Sequence, residues 1–311
     1  MTRSLASKTA VGLFLLALAI VPLIGNSYQT RLATVALVYG IGAIGLNLLV
    51  GYGGMISFGH AAFFGIGGYT AAMLGLAGLS SVVVTVPCAL FASGIAALGI
   101  GALSLRMTGA YFIMITLAFA QMLFYGSVAI TKFGGDEGVA TPRGHLLGLD
   151  LHNGTAFYYL VFAVALSTVY LSHRIVASRF GRVLRAINDN EHRAISFGYN
   201  AYVYKLVAFA IAGGIAGLGG SLMAHLNEYV APSLFHWVLS GEFLVLVILG
   251  GMGTVLGPLL GAILFVLLQE ILSAYTTYWM LILGLILLTI VMSSSKGVIL
   301  LLKRATGDSR A

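Results

Sequence analysis

The sequence predicts an all-α protein, a polytopic membrane helical bundle of about ten transmembrane helices with glycine-broken segments in both halves. Three observations carry that prediction. Hydrophobic residues make up 59% of the 311 residues and charged ones only 8%, against roughly 25% charged residues in ordinary soluble domains. Mean hydropathy is +1.02. Apolar runs close to the ~20 residues needed to cross a bilayer recur along the chain, parted by short charged or turn-forming breaks.

The first run, at roughly 9–25, follows Arg3 and Lys8. Its stretch from Val11 to Ile24 has the length of a signal-peptide core, and an uncleaved anchor is the preferred reading. The second run, at 31–50, ends in GYGGMISFGH at 51–60, a glycine-rich interruption before the third at 59–78. Runs at 81–103 and 109–130 follow. Cys88, the only cysteine, lies in the first of these, so one chain offers neither a disulfide nor a cysteine metal site.

The segment 131–154, TKFGGDEGVATPRGHLLGLDLHNG, is rich in glycine and carries Asp136, Glu137 and Asp150; it reads as a solvated loop. A run at 155–173 leads into 174–200, where SRFGRVLRAINDNEHRAISFGYN sets Val183, Leu184, Ile187 and Ile195 among arginines. That is the pattern of a short amphipathic helix, suited to docking a soluble element. In the run at 203–224, Gly213 with Gly217 and Ala216 with Gly220 have small-xxx-small spacing, which favours close helix packing. The last runs, at 240–256, 258–275 and 277–293, enclose a second interruption, GGMGTVLGPLLG at 250–261, and 294–311 is a basic tail. The whole of 1–311 reads as one transmembrane domain.

The net charge of +7 is not a nucleic-acid signal in so apolar a chain. With the N-terminus inside, 13 of the 16 lysines and arginines fall on the inner side and only Arg31, Lys132 and Arg143 on the outer. The positive-inside rule therefore places both termini in the cytoplasm, 131–154 outside and 174–200 inside.

Both glycine interruptions contain Gly-Gly-Met and occupy corresponding places in the two halves, a weak repeat of helix, break and helix. Broken helices at such places point to a substrate path, because unwound backbone is tolerated in a membrane only where protein or water satisfies it. Plain packing is the alternative. The candidate path residues are Asn47, Gly53, Gly54, Ser57 and His60 at the first break and Gly250, Gly251 and Gly253 at the second. His60 could equally cap a helix end. Asn47, like Gln121 and Gln269, could be interhelical glue instead of a pore contact.

Several chemistries are excluded. No GxxxxGK[ST] phosphate loop occurs, so ATP is not hydrolysed here by that route. Ser221 and His225 stand four apart on one predicted helix without an oxyanion device, which argues against a protease. No catalytic residue and no metal site are assigned. Glu242 and Glu270 lie near predicted span ends, and no lysine or arginine is central, which weighs against ion coupling.

At 45–74, GLNLLVGYGGMISFGHAAFFGIGGYTAAML closely resembles the permease subunits of bacterial branched-chain amino acid ABC importers. The resemblance continues through TGAYFIMITLAFAQMLFY at 108–125, FGGDEG at 133–138, the stretch 181–225 and EFLVLVILGGMGTVLGPLLGAILFVLLQEIL at 242–272. TGAYF and GGDEG make it similar to the M-type permease. The resemblance implies a multi-pass protein of the bacterial inner membrane, in a heterodimer with a second homologous permease. Two cytoplasmic ATP-binding subunits, holding ATP and magnesium, and a periplasmic amino-acid-binding protein would complete the complex; no cofactor is implied in this chain. Leucine, isoleucine and valine are the implied cargo, with urea, short amides or other amino acids carried by similar permeases. The resemblance also assigns 174–200 to coupling, with Gly181, Arg182, Arg185, Ala186, Asp189, Asn190, Glu191 and Gly198 joining the permease to an ATPase. A basic loop on anionic lipid is the plainer reading of that segment. A passive channel for a small neutral solute, with the glycine breaks as its filter, is the rival function.

Overall fold

The computed structural model describes residues 15–23, 25–131, 134–142, 144–146, 149–150 and 153–293. Arg3, Lys8 and the tail at 294–311 lie outside them. Each predicted apolar run contains a helix: α1 (15–23), α2 (Ser27–Asn47), α3 (His60–Leu76), α4 (Val82–Ser104), α5 (Ala110–Ala129) and α6 (Gly154–Ala177). After two short helices, α7 (Arg179–Asp189) and α8 (Glu191–Ser196), come α9 (Ala201–Asn227), α10 (Trp237–Gly250), α11 (Gly257–Tyr275) and α12 (Trp279–Ser293).

Among the described residues six helices are long and apolar enough to cross a membrane: α2 with its extension to Tyr52, α4, α5, α6, α9 and α11. α3, α10 and α12 have 17, 14 and 15 residues, about 21–26 Å at 1.5 Å per residue and short of a ~30 Å hydrocarbon core. Each of the ten apolar runs holds a helix, but hydropathy cannot see where a helix stops inside an apolar stretch and so overstates the length of some. The run at 240–256 is cut when the chain turns at Gly251, with φ 111°.

α2 and α9 form the centre: 83% of the most apolar window of α2 is buried, against 22% for α4 and α5. Phe91 and Ile95 of α4 and Met114 and Tyr125 of α5 are exposed. A face of that character belongs in lipid or against another apolar surface. The multi-pass bundle is therefore inside-out relative to a soluble protein only at its rim.

Tight approach of α9 to its neighbours needs glycine. A methyl added at Gly220 would strike the backbone of Phe64 in α3, and one at Gly217 would strike Ser93 in α4. The spacing read in the sequence as packing is used that way, with backbones close enough for dispersion to hold the three helices.

Within 131–154, expected as a solvated loop, described residues pair with the α9–α10 connection. β1 (Val139–Ala140) pairs antiparallel with β4 (Tyr229–Val230), and the Thr141 N–H donates to the Glu228 carbonyl at 2.9 Å. A second short pair joins β2 (His145–Leu146) to β3 (Leu149–Asp150). Backbone pairing with a distant partner leaves no signal in hydropathy, which is why only turn-forming composition was visible.

At the other end of α6, the expected single amphipathic helix is two. Asn190, at φ −161° and ψ 101°, stops α7 and caps α8 by accepting the Arg193 N–H at 2.9 Å. Leu184 and Ile187 point inward as their spacing predicted, but Ile195 is exposed because Ala194 takes the buried face of α8.

Candidate functional site

The site is built where the two glycine interruptions meet. At the first, the last turn of α2 widens into a π-helical segment, Leu48–Tyr52, and the chain turns at Gly54, whose φ of 65° suits glycine. An irregular stretch then leads to α3 at His60. At the second, Gly251 and Gly253 take φ values of 111° and 74° between α10 and α11. Neither break is an unwound turn inside one continuous helix. Both are tight connections between helices.

Asn47 joins them. Its Nδ2 donates to the Thr254 carbonyl at 2.8 Å and its Oδ1 accepts the Gly253 N–H at 3.0 Å. The side chain is 2% exposed, so this amide has the interhelical role that the sequence left open. Gly51 lies so close to Gly253 that a methyl on it would overlap the Gly253 amide. Gly250 faces the carbonyl of Gly257 and is closed off by α11.

A cavity of about 490 Å³ opens on the first break only. Gly53 and Gly54 line it together with Thr108 and Phe112 near the α4–α5 turn. Asp189, Asn190 and Glu191, predicted as part of a separate coupling element, line the same cavity. Gly250, Gly251 and Gly253 do not. Two of the candidate path residues and three of the candidate coupling residues thus line one cavity, although more than 130 positions part Gly54 from Asp189 and Asn190 in the chain.

Physical contact backs the shared lining. Leu184 of α7 packs in one apolar cluster with Leu48, Leu49, Tyr52 and Met55 of the first break. A methyl on Gly54 would collide with the Asn188 side chain. Glu191 accepts from Lys205 of α9 at 2.6 Å, which holds α8 to the bundle. Asn188, Lys205 and Thr254 are functional candidates that sequence reasoning missed; none has a pattern of its own, and only contact reveals them.

The remaining coupling candidates divide. A methyl on Gly181 would meet the carbonyls of Ile175 and Val176, so its role is the sharp bend between α6 and α7. Arg185 donates to the Val176 carbonyl at 3.0 Å and to the Gly181 carbonyl at 3.4 Å, capping the end of α6 where orphan carbonyls and the helix dipole favour a cation. Arg182, Ala186 and Asp189 are exposed along α7, and Gly198 turns the chain after α8 with φ 86°.

Ser57 and His60 lie away from the cavity, fully buried. Ser57 Oγ accepts the Gly59 N–H at 3.2 Å, and the Phe58 N–H donates to Thr116 Oγ1 of α5 at 3.2 Å. His60 is the first residue of α3, after the N-cap Gly59, and neither of its ring nitrogens makes a capping hydrogen bond among the described residues. Ser221 shows no hydrogen bond to His225, whose Nε2 lies 2.8 Å from Thr85 Oγ1. Among the described residues no three histidine, cysteine or acidic side chains are grouped to hold a metal.

Comparison with known proteins adds a lineage to this geometry. Residues 28–291 match the family described as branched-chain amino acid transport system / permease component. The high-affinity branched-chain amino acid transport system permease protein LivM of Salmonella typhimurium is 29% identical over 303 residues, covering 88% of this chain and 71% of the relative. The probable branched-chain amino acid transport permease protein LivM of Methanocaldococcus jannaschii is 24% identical over 272 residues, 76% of this chain and 79% of the relative. LivH of Escherichia coli, a permease protein of the same kind of system, is 23% identical over 266 residues, 78% of this chain and 84% of the relative. No solved structure matches.

Proposed function

The chain belongs to the family of permease components of branched-chain amino acid transport systems, and from that premise we propose that it is the M-type membrane subunit of an ATP-driven importer of leucine, isoleucine and valine. The similarity to LivM relatives along most of its length supports the type, and the similarity to LivH supports pairing with a second, homologous permease. The chain performs no bond-making chemistry. Its work is to present a path and to change which side that path opens to.

One observation carries the mechanism: α7 rests directly on the first glycine break, through Leu184 and through Asn188 against Gly54. Arg182, Ala186 and Asp189 on the exposed side of α7 seat on a cytoplasmic ATPase subunit, which holds ATP and magnesium. Displacement of α7 by ATP binding then moves the Gly53–Gly54 turn, and Asn47 passes that movement to the Gly253–Thr254 turn. Tight connections of this kind are suited to switching because packed elements have discrete alternative arrangements. Together with α1, the three helices shorter than a bilayer bring the six long ones to about ten spans in the inner membrane, with both termini and α7 in the cytoplasm. A periplasmic binding protein delivers cargo to the opposite face, near the β1–β4 pair.

The test is reconstitution of this chain with a second permease, the ATPases and the binding protein in vesicles. Leucine uptake is expected to require all of them and ATP. Uptake that persists without the ATPases would convert the reading to a passive channel.

A further inference from the structure

One helix leaves open a surface that lipid alone does not suit. On α5, Tyr111, Met114, Ala118, Met122 and Tyr125 recur every three or four residues and so make a single open stripe. Its four larger side chains are 60–72% exposed. Gln121 stands beside the stripe, three residues from Ala118 and four from Tyr125. It lies about 17 Å from the start of the helix and about 12 Å from its end at 1.5 Å per residue, which puts its amide near mid-membrane.

That side chain is partly exposed and makes no hydrogen bond among the described residues. An amide turned to hydrocarbon leaves its donors and its acceptor unsatisfied, which is costly. The neighbouring helix adds a second such group. α10 begins within the layer beside α5, where the His236 ring lies 5.5 Å from that of Phe124. It then runs past Phe58, whose N–H donates to Thr116 of α5 and whose ring lies against Gly241. Glu242 is next in the chain and one turn from the exposed Val238. It is therefore also deep in the layer, partly exposed, and makes no hydrogen bond or ion pair among the described residues. By contrast, α4 exposes Phe91, Ile95 and Leu98 and buries the hydroxyls of Thr85, Ser93 and Ser104, as a face turned to lipid requires.

We propose that the α5 stripe, with Gln121 beside it and Glu242 on the adjoining α10, is the surface on which this chain meets the second, homologous permease. The inference rests on the paired-permease reading above and adds the face at which the pair forms. Lipid would leave both polar groups without partners. A second helical bundle presents hydroxyl, amide or amine donors to them, and hydrogen bonds of this kind hold membrane helices together. Ala118 at the centre of the stripe lets a facing helix come close, and the flexible methionines on either side adapt to its relief. The α4 face stays with lipid.

The experiment places p-benzoylphenylalanine at Met114, Met122 or Ile95, one position at a time, in the chain co-expressed with the second permease, and irradiates the membranes. Adducts with the second permease, identified by mass spectrometry, are expected from Met114 and Met122 and not from Ile95. In parallel, Gln121→Leu is expected to lower the amount of second permease recovered with a tagged chain at least about threefold, the scale of an interhelical hydrogen bond, with the yield of the tagged chain itself unchanged. Unchanged recovery overturns the part given to that amide. Adducts from Ile95 alone, or lipid adducts alone at all three positions while the second permease is still recovered with the chain, overturn the assigned face and leave the paired-permease reading standing. Capture of another copy of this chain at Met114 and Met122, or failure to recover any second permease, overturns that reading and the proposal with it.

Discussion

Asn47 holds Thr254: the amide of the one donates to the carbonyl of the other at 2.8 Å across 207 positions of sequence. The same side chain accepts the Gly253 N–H at 3.0 Å, so a single buried residue fastens the second glycine turn to the end of α2. Replacing it with leucine leaves a partly buried N–H and a partly buried carbonyl without this partner, each costing up to about 1–3 kcal/mol. Asn47→Leu is expected to lower the detergent melting temperature and to abolish uptake. A melting curve identical to the parent would show that the two turns do not depend on this clamp.

Gly54 sits under Asn188 with φ 65°. Gly54→Ala meets both the strain of a left-handed backbone, about 1 kcal/mol, and the Asn188 side chain. Uptake is expected to fall severalfold, and a second change, Asn188→Gly, is expected to recover part of it by making room. Gly99→Ala, where a Cβ meets nothing within 4 Å, is the control and should transport normally. No recovery in the double variant would mean that α7 does not bear on this turn.

Two arginines one helical turn apart on α7 should behave differently. Arg182→Glu reverses an exposed charge and is expected to leave melting unchanged while separating ATP hydrolysis from uptake. Arg185→Glu removes the cap on the Val176 carbonyl and sets an anion at a helix C-terminus, costing about 1–2 kcal/mol. Its first effect should be a lowered melting temperature. Unchanged uptake in Arg182→Glu would remove α7 from the coupling surface.

Gly220 lies against the Phe64 backbone. Gly220→Val would force α3 and α9 apart at the centre of the bundle, an overpacking cost of about 1–3 kcal/mol or more. The expected result is little folded protein in membranes, measured by size-exclusion profile after extraction. A monodisperse, active Gly220→Val protein would contradict the close approach.

Lys205 and Glu191 make an ion pair at 2.6 Å with side chains 15% and 40% exposed. Pairs so near the surface contribute about 0–1 kcal/mol. Lys205→Met is expected to change melting little and to affect uptake only as far as α8 must stay seated; a large drop in stability would show the pair to be better shielded than its exposure implies.

Much of the fold was legible because a bilayer imposes a simple rule. Backbone groups must be satisfied within a helix, so run length alone located the helices, and arginine spacing located the amphipathic face of α7 through Leu184 and Ile187. Glycine drew attention to both interruptions for a sound reason, since Gly54, Gly251 and Gly253 all take positive φ. The expectation that both line a path rested on symmetry of sequence, and it did not account for Gly250 being covered by α11.

Composition and periodicity were thus sufficient for a helical membrane protein with two glycine interruptions and an amphipathic segment after α6, because each is a local property of consecutive residues. Which of these touch was decided only by packing. Asn47 reaching Thr254, Leu184 and Asn188 resting on the first turn, and the starts of α3 and α10 meeting at Ala61 and Ser240 all join residues more than 120 positions apart. No pattern along the chain records such contacts, since they follow from helix lengths, crossing geometry and the close approaches that glycine permits.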